Sequence, residues 1–193
     1  AGRAQWPIVQ GRGVGGTTLV NSAIAVRTPH DVFARWEREH GFGGDALAQR
    51  LWAIQEAHEH ELGAEVPSAA ATGRNNALAQ QGATALGYDN HVTQRFVKGC
   101  TGSGQCLQGC ATARKQSLNL NFVPEVIRRG GTVLSCAPVD RVTLEGARAV
   151  GVTGRFLHPA DRRRGARFAV RARRGVVMAA SVLHSPLILR RSG

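Results

Sequence analysis

Apolar residues in the first half of the chain recur at intervals of three and four. The pattern is present in residues 30–41 and is clearest in residues 45–62. Such spacing places the apolar side chains on one face and predicts amphipathic helices. A third helix is predicted over residues 74–86, because Gly87 follows it and glycine is a common helix terminator. We expect a loop around Pro67, in the alanine-rich segment before that helix.

The pattern changes towards strand-like alternation in the second half of the chain. A strand is predicted over residues 90–99 and a helix around Pro124. After Gly131, apolar and polar residues alternate with a period of two in four short runs, which predicts a meandering antiparallel sheet. These runs cover residues 132–138, 139–146, 148–157 and 167–175.

The C-terminal residues predict one further strand and one further helix. Residues 175–180 form a continuous apolar run, which is typical of a strand buried on both faces. A helix is predicted to follow, with Pro186 near its first turn. The helices of the first half and the short strands of the second half together predict an α/β fold with α+β elements.

The composition adds a strong positive charge to this picture. The formal net charge is +12, from 25 Lys and Arg against 13 Asp and Glu, and only Lys98 and Lys115 are lysines. A basic chain is typical of proteins that bind nucleic acid or other anions. However, no aromatic residues lie within the arginine runs at 162–164 and 171–174, as base-stacking platforms would require. We interpret these arginines as solvated residues of loops and strand edges and expect no nucleic-acid partner.

The cysteines and the hydropathy bear on cellular location. Cys100, Cys106 and Cys110 cluster, whereas Cys136 stands apart. This pattern is not the disulfide framework of a small secreted domain, and it favours a reducing, cytoplasmic location. No run of about 18 apolar residues occurs, so we expect no membrane span.

Three glycines near the N-terminus have the spacing of a dinucleotide-binding loop. Gly11, Gly13 and Gly16 form the pattern G-x-G-x-x-G. In dinucleotide-binding domains a hydrophobic strand precedes this pattern and a helix follows it. Here Pro7 interrupts any preceding strand, and the β-branched residues that begin at Thr17 open a helix poorly. The spacing alone therefore does not indicate a first Rossmann fingerprint.

Longer strings around and beyond these glycines are more specific. Residues 11–21, GRGVGGTTLVN, resemble the first signature of the glucose–methanol–choline (GMC) family of FAD-dependent oxidoreductases. Residues 181–193 resemble the second signature, although Ser181 and Val182 stand where that family prefers glycine and a small residue. Residues 137–152 resemble the adenine-contacting strand of the family. The resemblance covers nearly the whole chain.

The resemblance implies an FAD site built from the glycine loop and the adenine strand. Glycines allow the backbone to approach a cofactor closely, and successive N–H groups form a concavity that binds anions. The position that contacts the adenine in the family corresponds to Val139. The residues that the resemblance places at the cofactor are Gly13, Gly15, Gly16, Thr17, Asn21, Ser22, Ala23 and Val139.

The resemblance also implies that residues 1–193 are the central part of a larger FAD-binding region with a Rossmann-like fold. In the family, the first Rossmann fingerprint precedes this region and the catalytic histidine follows it. We therefore expect these features before Ala1 and beyond Gly193, and we assign no catalytic residue within the chain. The implied reaction passes a hydride from the CH–OH carbon of a small-molecule alcohol, sterol or sugar to the flavin. We expect the 193 residues alone to be inactive.

The cysteine cluster allows two interpretations. Cys100, Cys106 and Cys110 have the spacing C-x5-C-x3-C on a glycine-rich segment, and cysteine thiolates hold soft metals and iron–sulfur clusters. The spacing resembles that of GMC-type sugar dehydrogenases, whose three-iron cluster passes electrons to a cytochrome partner, so it implies an iron–sulfur cluster and an electron-acceptor protein. Those relatives tend to have prolines beside the last two cysteines, which this chain lacks. Metal-free cysteines in an insertion loop are the other interpretation.

Two function classes besides the enzyme stay open at this point. Charge alone supports a basic nucleic-acid-binding module, and the glycine loop is also compatible with a flavoprotein relative that has no catalytic role. The histidines do not add a further class, since His58 and His60 are two residues apart and lie on different sides of a helix.

Overall fold

The computed structural model describes residues 10–193, so the predicted strand interruption at Pro7 lies outside the described residues. The chain divides into two compact units, one ending at Val133 and the other covering Leu134–Gly193. The α-helices of the described residues are α1 (His30–His40), α2 (Gly44–Leu62), α3 (Ala69–Ala85), α4 (Phe122–Arg128) and α5 (Ser181–Ser192). The strands are β1 (Ala64–Glu65), β2 (Arg95–Phe96), β3 (Val139–Glu145), β4 (Arg148–Leu157) and β5 (Arg164–Arg171).

Helices α1 and α2 pack against each other in the first unit, and both were predicted from apolar spacing. Phe33 of α1 is only 1% exposed and meets Trp36 edge-on, with ring centroids 5.6 Å apart. The connection between the two helices is tight, because a Cβ atom on Gly43 would lie 2.7 Å from the Phe33 carbonyl oxygen. Gly43 also has φ 136°, which side-chain-bearing residues rarely adopt.

Polar contacts attach the segment before α1 to α2. The Arg27 guanidinium donates to Glu59, with Nη2 2.7 Å from Oε2, and it also pairs with Glu56 at 3.4 Å. The hydrogen bond with Glu59 raises the pKa of Arg27. The backbone N–H of Thr28 donates to Gln55 Oε1 at 2.9 Å. These bonds fix the direction in which the chain leaves the N-terminal glycine loop.

Helix α3 begins earlier than the sequence pattern predicts. It starts at Ala69, where Ser68 caps it by accepting a hydrogen bond from the Ala71 N–H at 3.2 Å. Gly73, with φ 79°, breaks the helix and separates this first turn from the predicted part. The loop predicted around Pro67 is present at residues 66–68, whereas residues 69–72, also predicted as loop, form a helical turn before the kink at Gly73.

The second unit contains the predicted antiparallel meander. Its strands lie in the order β3-β4-β5, with Val142 opposite Val152 and Val152 opposite Val170. Helix α5 packs on β3, where the Val142 N–H donates to Ser192 Oγ at 2.9 Å. Val142 and Ile188 are the buried hydrophobic residues of this unit. The sheet and the terminal helix are confirmed.

Three apolar runs differ from their predicted strands. Residues 132–138 contain a turn and no strand, and residues 90–99 form a strand only at Arg95–Phe96. Residues 175–180 are also not a strand, and Val177 is 94% exposed. A strand needs a neighbour to complete its backbone hydrogen bonds, and the described residues place none beside 175–180. An apolar run predicts burial, but it does not supply the partner strand.

The described residues form an α/β structure of helices and small antiparallel sheets, which confirms the predicted fold class. Within residues 10–193, every helix is too short or too polar to cross a membrane.

Candidate functional site

The N-terminal glycine loop, residues 11–23, folds into a tight turn followed by one turn of 3-10 helix at Gly16–Leu19. The Gly16 N–H closes the turn by donating to the Gly13 carbonyl at 2.9 Å. Gly15 and Gly16 have φ 106° and 60°, in the left-handed region. A Cβ atom on Gly13 would lie 2.6 Å from Leu19 Cδ1. The positive φ values at Gly15 and Gly16 therefore favour glycine for the backbone of the loop itself, apart from any ligand.

One side of the glycine loop is packed and another is open. The Thr18 hydroxyl donates to the Gly15 carbonyl at 2.5 Å and accepts from the Leu118 N–H at 3.1 Å. A Cβ atom on Gly15 would lie 3.0 Å from the backbone nitrogen of Asn119. At Gly16, by contrast, no atom of the described residues lies within 4 Å of the Cβ position. The loop thus has a fixed shape with one free backbone face.

The remaining predicted cofactor residues of the loop divide between surface and core. Thr17 and Asn21 are exposed and Ser22 is half-buried. Asn21 Oδ1 accepts a hydrogen bond from the Ala23 N–H at 3.1 Å, so the amide stabilises the end of the loop. Ala23 is 2% exposed, and its carbonyl accepts from the Phe96 N–H at 2.7 Å. The Ala23 side chain is therefore part of the core.

Lys115 anchors the glycine loop, and sequence reasoning assigned it no such role. The residue is 2% exposed. Its Nζ donates to three backbone carbonyls: those of Leu19 at 2.6 Å, Cys106 at 2.7 Å and Asn21 at 3.2 Å. Burial lowers the pKa of this ammonium group, and negative charge on Cys106 or Cys110 would raise it.

The available sequence signal for this anchor was the rarity of lysine. Lys115 is one of two lysines among 25 basic residues. A compact ammonium group fits among three converging carbonyl oxygens, whereas the planar guanidinium of arginine suits forked acceptors. Rarity draws attention to Lys98 and Lys115 alike, and of these two lysines the structure gives this geometry to Lys115.

Arg95 makes a second link between the glycine loop and the cysteine loop, which we define as residues 99–114. Its Nε donates to the Ser22 carbonyl at 3.0 Å, and its Nη2 donates to Cys106 Sγ at 3.2 Å. Arg95 and Lys115 therefore each contact both loops. The two cations hold the loops in one arrangement.

Cys100, Cys106 and Cys110 line one cavity of about 40 Å³ in the cysteine loop, beside Arg95 and Lys115. All of these thiols are free. Within residues 10–193, no three His, Cys, Asp or Glu side chains are grouped so that they could hold a metal ion. The predicted iron–sulfur site is therefore not assembled in the structure.

The thiols have protein hydrogen-bond partners in place of a shared metal position. Cys100 Sγ accepts from the Gly102 N–H at 3.4 Å, and Cys110 Sγ accepts from the Lys115 N–H at 3.3 Å. Burial raises the pKa of the Cys110 thiol, but hydrogen bonds from the Thr112 hydroxyl and nearby backbone N–H groups outweigh it and lower the pKa overall. The cysteine residues as arranged do not fit an iron–sulfur cluster.

Val139, the adenine position implied by the resemblance, opens β3 of the second unit. It is half-buried and pairs with Gly154 of β4. The other predicted cofactor residues belong to the first unit. Contact between Val139 and an adenine ring stays a prediction.

The glycine loop exposes its backbone at Gly16 with no side chain in front of it, and such a position allows a cofactor to approach closely. The described residues define an α/β protein with an exposed glycine loop. Residues 3–193 match the family model described as GMC oxidoreductase, and the chain belongs to that family. The family resemblance is confirmed, and it favours the oxidoreductase interpretation over the nucleic-acid-binding module that charge left open.

Relatives of the chain include an uncharacterised GMC-type oxidoreductase of Mycobacterium tuberculosis that is 36% identical over 195 residues. The match covers 29% of the length of that protein. An uncharacterised GMC-type oxidoreductase of Sinorhizobium fredii is 30% identical over 196 residues, and the match covers 37% of its length. All of this chain is matched in both cases. The chain thus spans about a third of the length of these relatives.

A more distant relative carries a specific name. It is the long-chain-alcohol oxidase FAO4B of Arabidopsis thaliana, 23% identical over 198 residues, which cover 94% of this chain and 25% of that protein. No solved structure matches the chain significantly.

Proposed function

We propose that the chain is part of an FAD-dependent oxidoreductase that acts on CH–OH groups of alcohols, sterols or sugars. One observation carries the proposal. In a chain that matches the GMC oxidoreductase family over residues 3–193, the glycine loop keeps the Gly16 backbone open while its other glycines are packed. FAD, when bound, would accept a hydride from the substrate carbon. The residues of this chain would bind and orient that cofactor.

The exposed side of the glycine loop offers groups that suit FAD. Backbone N–H groups and short polar side chains hydrogen-bond an anionic diphosphate or the polar edge of a flavin. We assign Gly13, Gly15, Gly16, Thr17, Asn21 and Ser22 to this contact, and Val139 to the adenine. Ala23 would support the site by packing, since its side chain is buried.

Arg95 and Lys115 would act as positioning residues for this site. Both donate to carbonyl oxygens of the glycine loop, so they hold the backbone of residues 19–22 in one arrangement. A loop that is already ordered binds a ligand better than a mobile one, because less ordering is needed on binding. Lys98, the other lysine of the chain, is exposed, and we assign it no such role.

The substrate class is supported by the relative from Arabidopsis thaliana, which is named a long-chain-alcohol oxidase. We propose an alcohol-type small molecule on this ground. We also propose that the catalytic base comes from a part of the protein beyond this chain, since the chain spans only 29% to 37% of the GMC-type relatives. We do not propose an electron-acceptor protein as a partner, because that expectation depended on an iron–sulfur cluster at the three cysteines.

A matched pair of glycine variants tests cofactor binding in the full-length protein. Gly16 and Gly87 both have left-handed φ, 60° and 75°, and both have open space at the Cβ position. Gly16→Leu and Gly87→Leu therefore carry the same backbone penalty, about 1–2 kcal/mol. Only Gly16→Leu places a side chain on the proposed cofactor face, so we expect it alone to lower FAD affinity at least tenfold.

The measurements are FAD content after purification and FAD titration of the apoprotein. Equal FAD affinity in the two variants would contradict the assignment of the glycine loop. The reaction is tested separately by anaerobic bleaching of bound flavin with a panel of primary alcohols, sterols and sugars. A flavin that binds normally but is bleached by none of them would overturn the CH–OH activity and leave the cofactor site in place.

A further inference from the structure

The cysteine loop contains a cluster of nucleophilic side chains that the proposed oxidation does not use. Cys100, Cys106 and Cys110 line one cavity, and two cationic residues, Arg95 and Lys115, line it with them. All three cysteines are only partly buried, so a small oxidant such as hydrogen peroxide can reach them.

We propose that Cys106 and Cys110 form a peroxide-reactive thiol pair, in which Cys110 is the residue oxidised first and Cys106 resolves it to a disulfide. This assignment does not depend on the proposed FAD-dependent activity. It follows from the surroundings of each sulfur and from the backbone that joins them.

Cys110 is the thiol with the most donors around it. Its Sγ accepts from the Lys115 N–H at 3.3 Å and lies 3.5 Å from the Thr112 hydroxyl oxygen. Donors of this kind stabilise a thiolate, and the thiolate is the nucleophilic form of cysteine. Cys110 also has φ 34°, an uncommon value for a residue with a side chain. A strained backbone held in place by its surroundings is frequent at reactive positions.

Cys106 is placed to resolve the oxidised form. It lies one short turn before Cys110, and the turn is closed by the Cys110 N–H, which donates to the Gln105 carbonyl at 3.2 Å. Its sulfur accepts from Arg95 Nη2 at 3.2 Å, so a cationic donor lies beside the attacking sulfur. Cys100 lines the same cavity, but it has a backbone N–H of its own segment, that of Gly102, as its donor.

The chemistry balances with hydrogen peroxide as the oxidant. The Cys110 thiolate attacks one peroxide oxygen, the S–O bond forms, the O–O bond breaks, and the departing hydroxide takes a proton to become water. The Cys106 thiolate then attacks the Cys110 sulfur, the S–S bond forms, and the S–O bond breaks with loss of a second water. Two thiols and one peroxide give one disulfide and two waters.

The disulfide would change the contacts that hold the glycine loop. Cys106 contributes its sulfur to Arg95 and its carbonyl to Lys115, and both cations also contact the glycine loop. A new bond from Cys106 to Cys110 competes with the Arg95 contact. Oxidation should therefore increase backbone hydrogen exchange in residues 11–23.

The test uses full-length protein that is treated with hydrogen peroxide while folded, then denatured, alkylated with a maleimide and digested with trypsin. The cysteine loop falls in one tryptic peptide, residues 99–114, because Lys98 precedes it and Arg114 ends it. We expect the reduced peptide to carry three maleimides. The oxidised peptide should carry one, on Cys100, and should have lost two hydrogens.

Variants identify the order of the two thiols. In Cys106→Ser, oxidation should stop at a sulfenic acid on Cys110, which dimedone traps. In Cys110→Ser no disulfide should form, and in the control Cys100→Ser the disulfide should form as in wild type. The wild-type experiment does not depend on the folding of any variant.

Several results would overturn the proposal. Three maleimides after peroxide treatment would show that the thiols are inert at this site. A disulfide that includes Cys100 would contradict the pairing of Cys106 with Cys110. Iron at one or more atoms per chain in protein purified without oxygen would show that the thiols are ligands after all.

Discussion

Replacing Lys115 with methionine tests whether a single buried cation holds the glycine loop. Methionine keeps an unbranched apolar chain of similar length and removes only the ammonium group. The substitution leaves the carbonyls of Leu19, Asn21 and Cys106 without the donor that the structure places 2.6–3.2 Å from them. The change is therefore confined to the contacts that join the glycine loop to the cysteine loop.

The expected cost follows from the three hydrogen bonds. A buried polar group that loses its partner costs about 1–3 kcal/mol. The lower value is appropriate here, because Asn21 is exposed and water can reach its carbonyl. Relief from burying the charge is a second reason to take the lower value, about 1 kcal/mol, for each of the three carbonyls. We therefore expect about 3 kcal/mol of local destabilisation, which is on the order of a hundredfold in the opening equilibrium.

Hydrogen exchange in the full-length protein, followed by mass spectrometry, measures this opening directly. Peptides that cover residues 11–23 and the segment around Cys106 should exchange on the order of a hundredfold faster in Lys115→Met. Lys98→Met is the matched control, since Lys98 is the other lysine of the chain and is exposed. It should change stability by no more than about 0.5 kcal/mol.

Two results would refute this reasoning. Exchange in residues 11–23 of Lys115→Met that matches the Lys98→Met control would show that the three hydrogen bonds do not hold the loop. Equal acceleration throughout residues 10–193 would show that Lys115 serves general folding, and that the glycine loop has no specific anchor.

Three further predictions concern the same loop. Thr18→Val should destabilise the loop by about 1–3 kcal/mol, because two backbone groups lose their hydroxyl partner. In the control Thr17→Val, which changes an exposed residue, the free energy of unfolding in urea should be nearly unchanged. Asn21→Leu removes the acceptor of the Ala23 N–H, so it should lower the free energy of unfolding by about 0.5–2 kcal/mol and also lower FAD content. Unchanged flavin content with lowered stability would limit Asn21 to a structural role. Burial lowers the pKa of Lys115 from its ordinary value of 10.5, so the unfolded chain binds more protons between the two pKa values. Wild type should therefore gain stability relative to Lys115→Met as pH rises through that window, and a constant difference between their urea midpoints would contradict it.

The sequence predicted those parts of the fold that depend on local pattern. Helices α1 and α2 follow from apolar spacing, and the meander in Leu134–Gly193 follows from alternation. The glycine loop was predicted from its motif, because positive φ values restrict a chain to glycine at positions such as Gly15 and Gly16. These features are set by residues close together in sequence.

The anchors of the site were not predictable in this way. The hydrogen bonds from Lys115 to Leu19 and Asn21 join residues 96 and 94 positions apart, and that from Arg95 to Ser22 spans 73. The periodic spacing of apolar residues carries no information about contacts between residues so far apart in sequence. The failed strand at 175–180 has the same origin, since an apolar run does not specify which strand, if any, will pair with it.

The electrostatics of the two loops explain why a buried lysine and reactive thiols occur together. Burial disfavours the protonated form of Lys115, while negative charge on Cys106 or Cys110 favours it. Any negative charge on these sulfurs and the ammonium group of Lys115 would therefore attract each other. A disulfide would remove both thiols as sources of negative charge and leave the ammonium group with its carbonyl partners alone. Oxidation of the cysteine loop and weakening of the glycine-loop anchor are thus two consequences of one local charge balance.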